Sequence, residues 1–440
     1  MKISRDFYKY VIPSMLSFAL SGIYAIVDGF FVGNALGDNA LAAINIAYPI
    51  TAFMQAVGTG IGMGGAVRYS ICKGADDQKG KNKYLMTSMA LLVAFGVLLT
   101  ALFLLGGRAI LQVFGAEGEI LTLADEYIRY ITYGTIFQVL GTGVVPFIRN
   151  MGSSITAMIG MISGFLTNIL LDYLFVWVFQ WGMMGAAVAT VIGQAVTFAV
   201  CLVFMVRKNR GEHMQLSGEN RSLVKNILLI GLSPFGLTFS PNLTLILVNK
   251  SAVVFGGAEA VTCYAAISYI SCVVLLLLQG VSDGSQPLIS VAYGEGNLKK
   301  AKAFRNLAYR FAAGVAIVLM ITIFLTRGDA ARLFGASEQV VQDVASALPI
   351  FIAGFLFASF SRITTSYFYA TEKNVFAYLL IYGEPVLLLL SLLILPHFLG
   401  IWGTWTSVLV SQVLIMVASM ALTWLAKRRE ATEVHIEKAK

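Results

Sequence analysis

The chain has little charge and few cysteines, and these shortages exclude several classes of protein. Only 12% of its 440 residues are charged, whereas 58% are hydrophobic. A soluble chain of this length has too much surface to cover with so few charges, so the composition indicates a membrane protein. The four cysteines, Cys72, Cys201, Cys263 and Cys272, show no paired spacing. They predict neither a disulfide framework nor a metal site.

Motifs of nucleotide-driven or catalytic proteins are also missing. The chain contains no G-x-x-x-x-G-K-[ST] sequence, so no ATP drive is visible. Its three histidines, His213, His397 and His435, all lie outside the apolar runs. Because no set of nucleophile, base and metal ligands stands out, we do not expect an enzyme, and we expect no cofactor.

Long apolar runs dominate the chain. Each is long enough to cross a bilayer, which takes about 20 residues of helix. They fall at residues 8–32, 41–66, 84–106, 120–147, 152–179, 182–206, 223–252, 257–283, 306–326, 340–370, 374–396 and 399–426. The sequence therefore predicts an all-α integral membrane protein with twelve transmembrane helices. Residues 1–10 are polar and basic and do not resemble a cleavable signal.

Basic residues collect in one set of the loops between these runs. Residues 79–83, 207–210 and 299–305, for example, are rich in Lys and Arg, and both ends of the chain are basic as well. The positive-inside rule puts these loops and both termini in the cytoplasm, as expected for a multi-pass protein of the cell inner membrane. The net charge of +8 is thus a topology signal, and we expect no nucleic-acid partner.

The chain repeats itself at one nearly constant spacing. Gly60, Gly64 and Gly74 recur as Gly280, Gly284 and Gly294, and residues 114–116 recur as residues 334–336. The repeat predicts an N-terminal six-helix lobe over residues 1–220 and a C-terminal six-helix lobe over residues 221–440. Because six spans return the chain to the same side, the lobes are parallel repeats related by a pseudo-two-fold axis.

A set of polar residues falls at one depth of the first lobe. Ionisable groups at membrane depth are costly and are functional candidates by default. At 1.5 Å per residue, one layer is predicted to contain Tyr24, Asp28, Asn168, Asp172 and Thr190. These oxygen groups suit either shared protons or a bound Na⁺. The alternative is that Asn168, Asp172 and Thr190 only hold helices together.

Other polar positions have weaker assignments. Pro13 provides a point where the first helix can bend. Asp283 is expected to end span eight or to contact a loop. Arg129 and Arg362 are expected to reach the membrane interface or to pair with acids. Glu384 precedes Pro385, so it either faces a central cavity or is a structural acid at a kink. A substrate cavity is predicted at Tyr48, Gln55, Tyr269, Gln279 and Glu384, with aromatic faces that suit an organic cation.

The first span carries a family resemblance. Pro13, Tyr24 and the segment Asp28–Gly37 resemble the multidrug and toxic compound extrusion (MATE) transporters, as does the loop Tyr293–Ala301. Asn168, Asp172 and Thr190 are similar to the amino-lobe cation site of the family's prokaryotic members. The resemblance implies a V-shaped fold, alternating access, and export of cationic amphiphilic drugs or toxins in exchange for H⁺ or Na⁺. It also implies a possible Na⁺ site at Asp28, Asn168, Asp172 and Thr190.

Span seven departs from the family pattern. Some members place an acidic residue there for a second cation site. This chain has Ser233, Asn242 and Asn249 in that span and no acid. The coupling site is therefore predicted in the first lobe.

Two functions follow from these observations. The first is antiport, by a monomer in the lipid bilayer, of small organic cations against H⁺ or Na⁺. The alternative is a flippase for lipid-linked oligosaccharide or peptidoglycan precursors, from the related superfamily. Such substrates carry pyrophosphate and call for a cavity rich in Lys and Arg. Here the acids at membrane depth outnumber the bases, which favours cationic cargo.

Overall fold

A computed structural model describes residues 2–210, 221–330 and 338–439, and nearly all of them are helical. The thirteen α-helices of these ranges are α1 Lys2–Leu36, α2 Asp38–Gly74, α3 Gln78–Val113, α4 Gly118–Tyr133, α5 Thr135–Asn150, α6 Ser154–Asp172, α7 Gly182–Lys208, α8 Arg221–Gly294, α9 Leu298–Leu325, α10 Arg327–Ala330, α11 Glu338–Ala370, α12 Asn374–Leu399 and α13 Ile401–Ala439. A π-helical segment, Tyr173–Val178, follows α6 directly.

Twelve spans can be counted in these ranges. Ten helices are long and apolar enough to cross a membrane, and one of them, α8, has 74 residues. A helix of that length would reach about 110 Å, far more than a bilayer core of about 30 Å. The chain breaks at Gly257, whose φ of 65° is left-handed, so α8 is two spans. Helices α4 and α5 bend by 61° and together form a broken span. The predicted all-α membrane fold is confirmed.

Small residues allow the helices of the first half to approach closely. A Cβ atom at Gly62 of α2 would lie 2.0 Å from the carbonyl oxygen of Gly143 in α5. Only glycine permits this contact, which is the usual way in which helices pack in membranes. Large apolar side chains fill the remaining space, and the buried core includes Met54, Leu92 and Val139.

The described chain forms two compact units. The first consists of the chain up to Phe239 together with Asp283–Ala301, and the second of Ser240–Ser282 together with the chain from Lys302. The predicted lobe boundary at residues 220 and 221 borders residues 211–220, and the repeat partner at residues 334–336 falls in residues 331–337. Both segments lie outside the described residues, so the two lobes stay a prediction.

Asp283 does not end a helix, and that expectation was wrong. Helix α8 continues to Gly294. Within the first unit, Arg149 Nη1 donates to Asp283 Oδ2 at 3.4 Å, and both side chains are buried. The apolar run stops at Asp283 because small polar residues follow, yet Ser285, Gln286 and Ser290 are fully buried. A polar helix segment was therefore mistaken for a terminus.

Candidate functional site

Two acids meet in the first unit. Helix α1 packs against α6, and α6 packs against α7. This packing brings the carboxyl group of Asp28 in α1 next to that of Asp172 at the end of α6, close enough to share a proton. Asp172 is 0% exposed, and Asp28 is half-buried. Two carboxylates this close, one of them shielded from water, cannot both stay ionised unless a cation accompanies them.

Three side-chain oxygens at this site have no hydrogen-bond donor among the described residues. Neither carboxylate oxygen of Asp172 has a hydrogen-bond partner among the described residues, and the side-chain oxygen of Asn168 has none either. Asn168 lies one helical turn before Asp172, so both side chains occupy one face of α6. Burying a polar group without a partner costs roughly 1–3 kcal/mol. Three such oxygens close together form a set that a proton or a small cation would satisfy.

Thr190 of α7 links the groups of this cluster. Asn168 Nδ2 donates to Thr190 Oγ1 at 3.4 Å, and Thr190 Oγ1 donates to the carbonyl oxygen of Ala186 at 3.0 Å. The Tyr24 hydroxyl also approaches Thr190, while the Tyr24 ring stacks on Phe165 with ring centroids 4.9 Å apart. The structure thus brings together all five residues of the predicted layer. Their role in coupling stays a prediction.

Tyr127 of α4 joins the cluster and was missed from the sequence. Its side chain is buried, and its hydroxyl approaches Thr190 near both acids. The available signal was the apolar face of α4, where Ala124 and Ile131 are buried on the same side. Taking residues 120–147 as one straight span hid that face, because the chain actually turns at Gly134.

The helix after Asp172 is irregular. The amide of Phe179 donates to the carbonyl oxygen of Leu174 at 2.8 Å, a spacing of five residues. Such π-helical turns are rare and often occur at functional sites. Here the wider turn begins immediately after the acid, and Trp177 within it packs edge-on against Phe31 of α1.

The remaining predicted residues lie elsewhere. Pro13 is inside α1, which runs without interruption from Lys2 to Leu36. In the first unit, Tyr48 and Gln55 are both exposed side chains of α2. Neither belongs to the group of oxygens around Asp172.

Three predicted cavity residues belong to the second unit. Tyr269 is exposed. Gln279 Oε1 accepts a hydrogen bond from Arg362 Nη1 at 2.8 Å. Glu384 is half-buried, and its Oε1 accepts a hydrogen bond from Gln412 Nε2 at 2.6 Å. Arg362 therefore contacts an amide at this position, and Glu384 is held by an amide on α13.

Twelve apolar spans in the described residues, with an acid pair between two of them, define a multi-pass membrane transporter. A family model described as MatE matches residues 13–174 and 237–387 of this chain. The chain belongs to the MatE family, and the resemblance seen in the first span is confirmed.

Curated relatives match over nearly the whole chain. The multidrug export protein MepA of Staphylococcus haemolyticus (strain JCSC1435) is 23% identical over 430 residues, which cover 97% of this chain and 94% of that protein. MepA of Staphylococcus aureus (strain N315) is 23% identical over 424 residues, with 96% and 93% covered.

Solved structures share the fold. One, a multidrug resistance MATE family transporter of the MOP superfamily in its outward-facing conformation, superposes with a TM-score of 0.90 at 24% identity, over 98% of this chain and 97% of that one. A MOP superfamily transporter from Pyrococcus furiosus superposes with a TM-score of 0.90 at 25% identity and the same coverage.

Proposed function

We propose that the protein is a secondary antiporter that exports amphiphilic organic cations in exchange for H⁺ or Na⁺. The observation that carries this proposal is the buried Asp172 carboxylate, which lies beside Asp28 and has no donor to either oxygen among the described residues. The proposal involves no covalent chemistry.

Coupling follows from the charge of this pair. With one proton or one Na⁺ bound, the pair carries a single negative charge, and its oxygens are satisfied. Without the ion, repulsion between the carboxylates and the missing hydrogen bonds favour a different packing of α1 against α6. An ion that binds one arrangement better than the other shifts the population by its differential affinity. The gradient of that ion then drives the transport cycle.

The coupling ion would bind to the oxygens already described. Asp28, Asp172, Asn168 and Thr190 supply carboxylate, carbonyl and hydroxyl oxygens, the donor type that hard cations prefer. Tyr24 and Tyr127 add hydroxyls that approach Thr190 beside the acids. No resident cofactor enters this scheme.

The substrate class is inferred from charge and from the relatives. Glu384 is a half-buried acid within an apolar helix, and Gln412 is its polar partner among the described residues. A carboxylate in this setting attracts an organic cation more strongly than one in water does. The curated relatives are named multidrug export proteins. We therefore assign amphiphilic cations of varied structure as cargo, with Glu384 as an anchor in the second unit.

The flippase alternative requires a substrate cavity of the opposite charge. A pyrophosphate lipid needs basic side chains, and at membrane depth the second unit supplies Arg362, which donates to Gln279. The Pyrococcus furiosus neighbour is described as having a binding pocket of reverse polarity that suggests a different function. Polarity of the cargo is therefore the property to measure.

The cellular setting completes the proposal. The basic loops predict that both termini lie in the cytoplasm of a cell whose inner membrane holds the protein. We propose that a single chain is the transporting unit, since each group named above comes from one copy.

Purified protein in liposomes tests this function. A fluorescent organic cation is followed under a pH gradient and, separately, under a Na⁺ gradient, for wild type and for Asp28→Asn. We expect one gradient to drive transport and the variant to lose the driven component. Equal driven transport by the variant would remove Asp28 from the mechanism. Selective movement of a pyrophosphate lipid without cation transport would favour the flippase.

A further inference from the structure

We propose that the second unit binds the phosphate group of an anionic phospholipid, in a cavity between the first turn of α12 and residues 426–430 of α13. The cavity has a volume of about 250 Å³. Its polar lining includes Lys373, Asn374, Arg429 and two carboxylates, Glu372 and Glu430, and its apolar lining is Val375, Phe376 and Ala426. It is separate from the acid pair of the first unit and from Glu384.

Arg429 is the principal phosphate ligand. Its guanidinium lies over the ring of Phe376, with the carbon atom 5.4 Å from the ring centroid. Among the described side chains, this ring is its partner, and no carboxylate or carbonyl oxygen accepts from it. A guanidinium has five donors in a planar fork that matches two phosphate oxygens. Stacking on the ring holds that fork in place.

The carboxylate of Glu430 does not cancel this positive field. Lys302 Nζ donates to it at 2.6 Å, and Lys373 Nζ donates to its other oxygen. With Arg429, three basic groups stand against the two acids of the cavity lining. The surplus of positive charge favours an anionic ligand.

Asn374 adds a neutral donor. Its side-chain oxygen is buried without a hydrogen-bond partner among the described residues. The oxygen and nitrogen of a side-chain amide are assigned from their partners, and a half-turn exchanges them. With the nitrogen turned toward the cavity, Asn374 donates to a phosphate oxygen beside Arg429. The amide nitrogen then occupies the position of the unpartnered oxygen, and the phosphate oxygen is its acceptor.

The surroundings of the cavity point to a lipid as the source of the phosphate. The apolar stretch of α13 ends at Ala426, and Lys427, Arg428 and Arg429 follow it. Two residues before that end, Trp424 is exposed with the guanidinium carbon of Arg428 3.9 Å from its ring centroid, an arrangement typical of the membrane boundary. Val375 is 66% exposed at the cavity edge, where an acyl chain can cover it. Basic pockets between spans at this level bind anionic headgroups.

Native mass spectrometry of the full-length protein tests the site. The protein is released from micelles that contain phosphatidylglycerol and phosphatidylcholine in equal amounts, and the bound molecules of each lipid are counted. We expect wild type to retain phosphatidylglycerol about tenfold better, the size of a charge-assisted bidentate contact. Arg429→Ala should bring the two lipids close to equal. Arg428→Ala removes the same charge one residue away and should keep the preference.

Several results would overturn the proposal. One is a wild type without preference, and another is an equal loss in the two alanine variants. Displacement of phosphatidylglycerol by millimolar glycerol phosphate or inorganic phosphate would mean a soluble ligand in place of a lipid. If Arg429→Ala does not purify in folded form, Arg429→Lys keeps the charge without the fork. It should retain roughly a third of the preference, and full retention would exclude the bidentate contact.

Discussion

The side-chain amide nitrogen of Asn168 lies 3.4 Å from the hydroxyl oxygen of Thr190, and this contact joins α6 to α7 at the depth of the acid pair. The same amide leaves its oxygen without a donor next to Asp172. One side chain therefore fixes the helix packing with its nitrogen and offers a ligand with its oxygen. Substitutions around Asn168 separate these two roles.

Thr190→Val tests the role of the hydroxyl. Valine fills the same volume without an oxygen, so the ion loses one ligand and Asn168 loses its acceptor. We expect gradient-driven export to fall about tenfold, which corresponds to about 1.4 kcal/mol of ion affinity. The thermal stability should change little, because interhelical hydrogen bonds in membranes contribute about 0.6 kcal/mol. A large loss of stability at unchanged transport would show that the residue is only structural.

Tyr127→Phe tests the residue that the sequence reading missed. The change removes one hydroxyl beside Thr190 and keeps the ring that fills the core. We expect transport driven by the ion gradient to fall roughly fivefold to tenfold, the effect of one net hydrogen bond. Tyr133→Phe, at an exposed position of the same helix, is the matched control and should transport normally. Normal export by Tyr127→Phe would place its hydroxyl outside the site.

Asp283→Asn tests the buried ion pair with Arg149. Removing one partner leaves a buried guanidinium without its counter-charge, which destabilises proteins by roughly 3–5 kcal/mol. Asp125→Asn provides the comparison, because Asp125 pairs with the exposed side chains of Arg108 and Arg129. Such pairs contribute roughly 0–1 kcal/mol. Thermal unfolding in detergent should therefore shift far more for Asp283→Asn, and similar shifts would contradict the buried pair.

Gly62→Ala tests the close packing of α2 on α5. The new Cβ would lie 2.0 Å from the carbonyl oxygen of Gly143, so the two helices would have to move apart. Overpacking of this kind costs roughly 1–3 kcal/mol. Gly106→Ala in α3 meets nothing within 4 Å and should leave the unfolding temperature unchanged or slightly raised. Equal unfolding temperatures for the two variants would rule out the contact.

Much of the fold could be read from hydropathy, because each span must be apolar over its whole length. The twelve apolar runs correspond to the twelve spans, and the break at Gly257 falls where run eight was predicted to begin. Helix irregularities were not predicted. Neither the bend at Gly134 nor the π-helical turn after Asp172 changes the apolar character of the chain, so hydropathy gives no sign of them.

The sequence predicted the candidate site only as far as it predicts the depth of each residue in the membrane. Asp28, Asp172 and Thr190 were placed in one layer by counting residues along three spans. Tyr127 was missed because residues 120–147 were taken as one straight span, which hid the buried face of α4. The partner of Asp283 escaped because it lies far away in the chain, at Arg149, and periodicity carries no information on contacts between distant helices.

The most direct test measures the ion released when cargo binds. Purified wild type, Asp28→Asn and Asp172→Asn are titrated with an organic cation in weakly buffered solution, while pH and Na⁺ activity are recorded. The account predicts that wild type releases about one positive charge, as H⁺ or Na⁺, for each cation bound, since two neighbouring acids hold a single counter-charge, and that both variants release none. Equal release by wild type and both variants would contradict it.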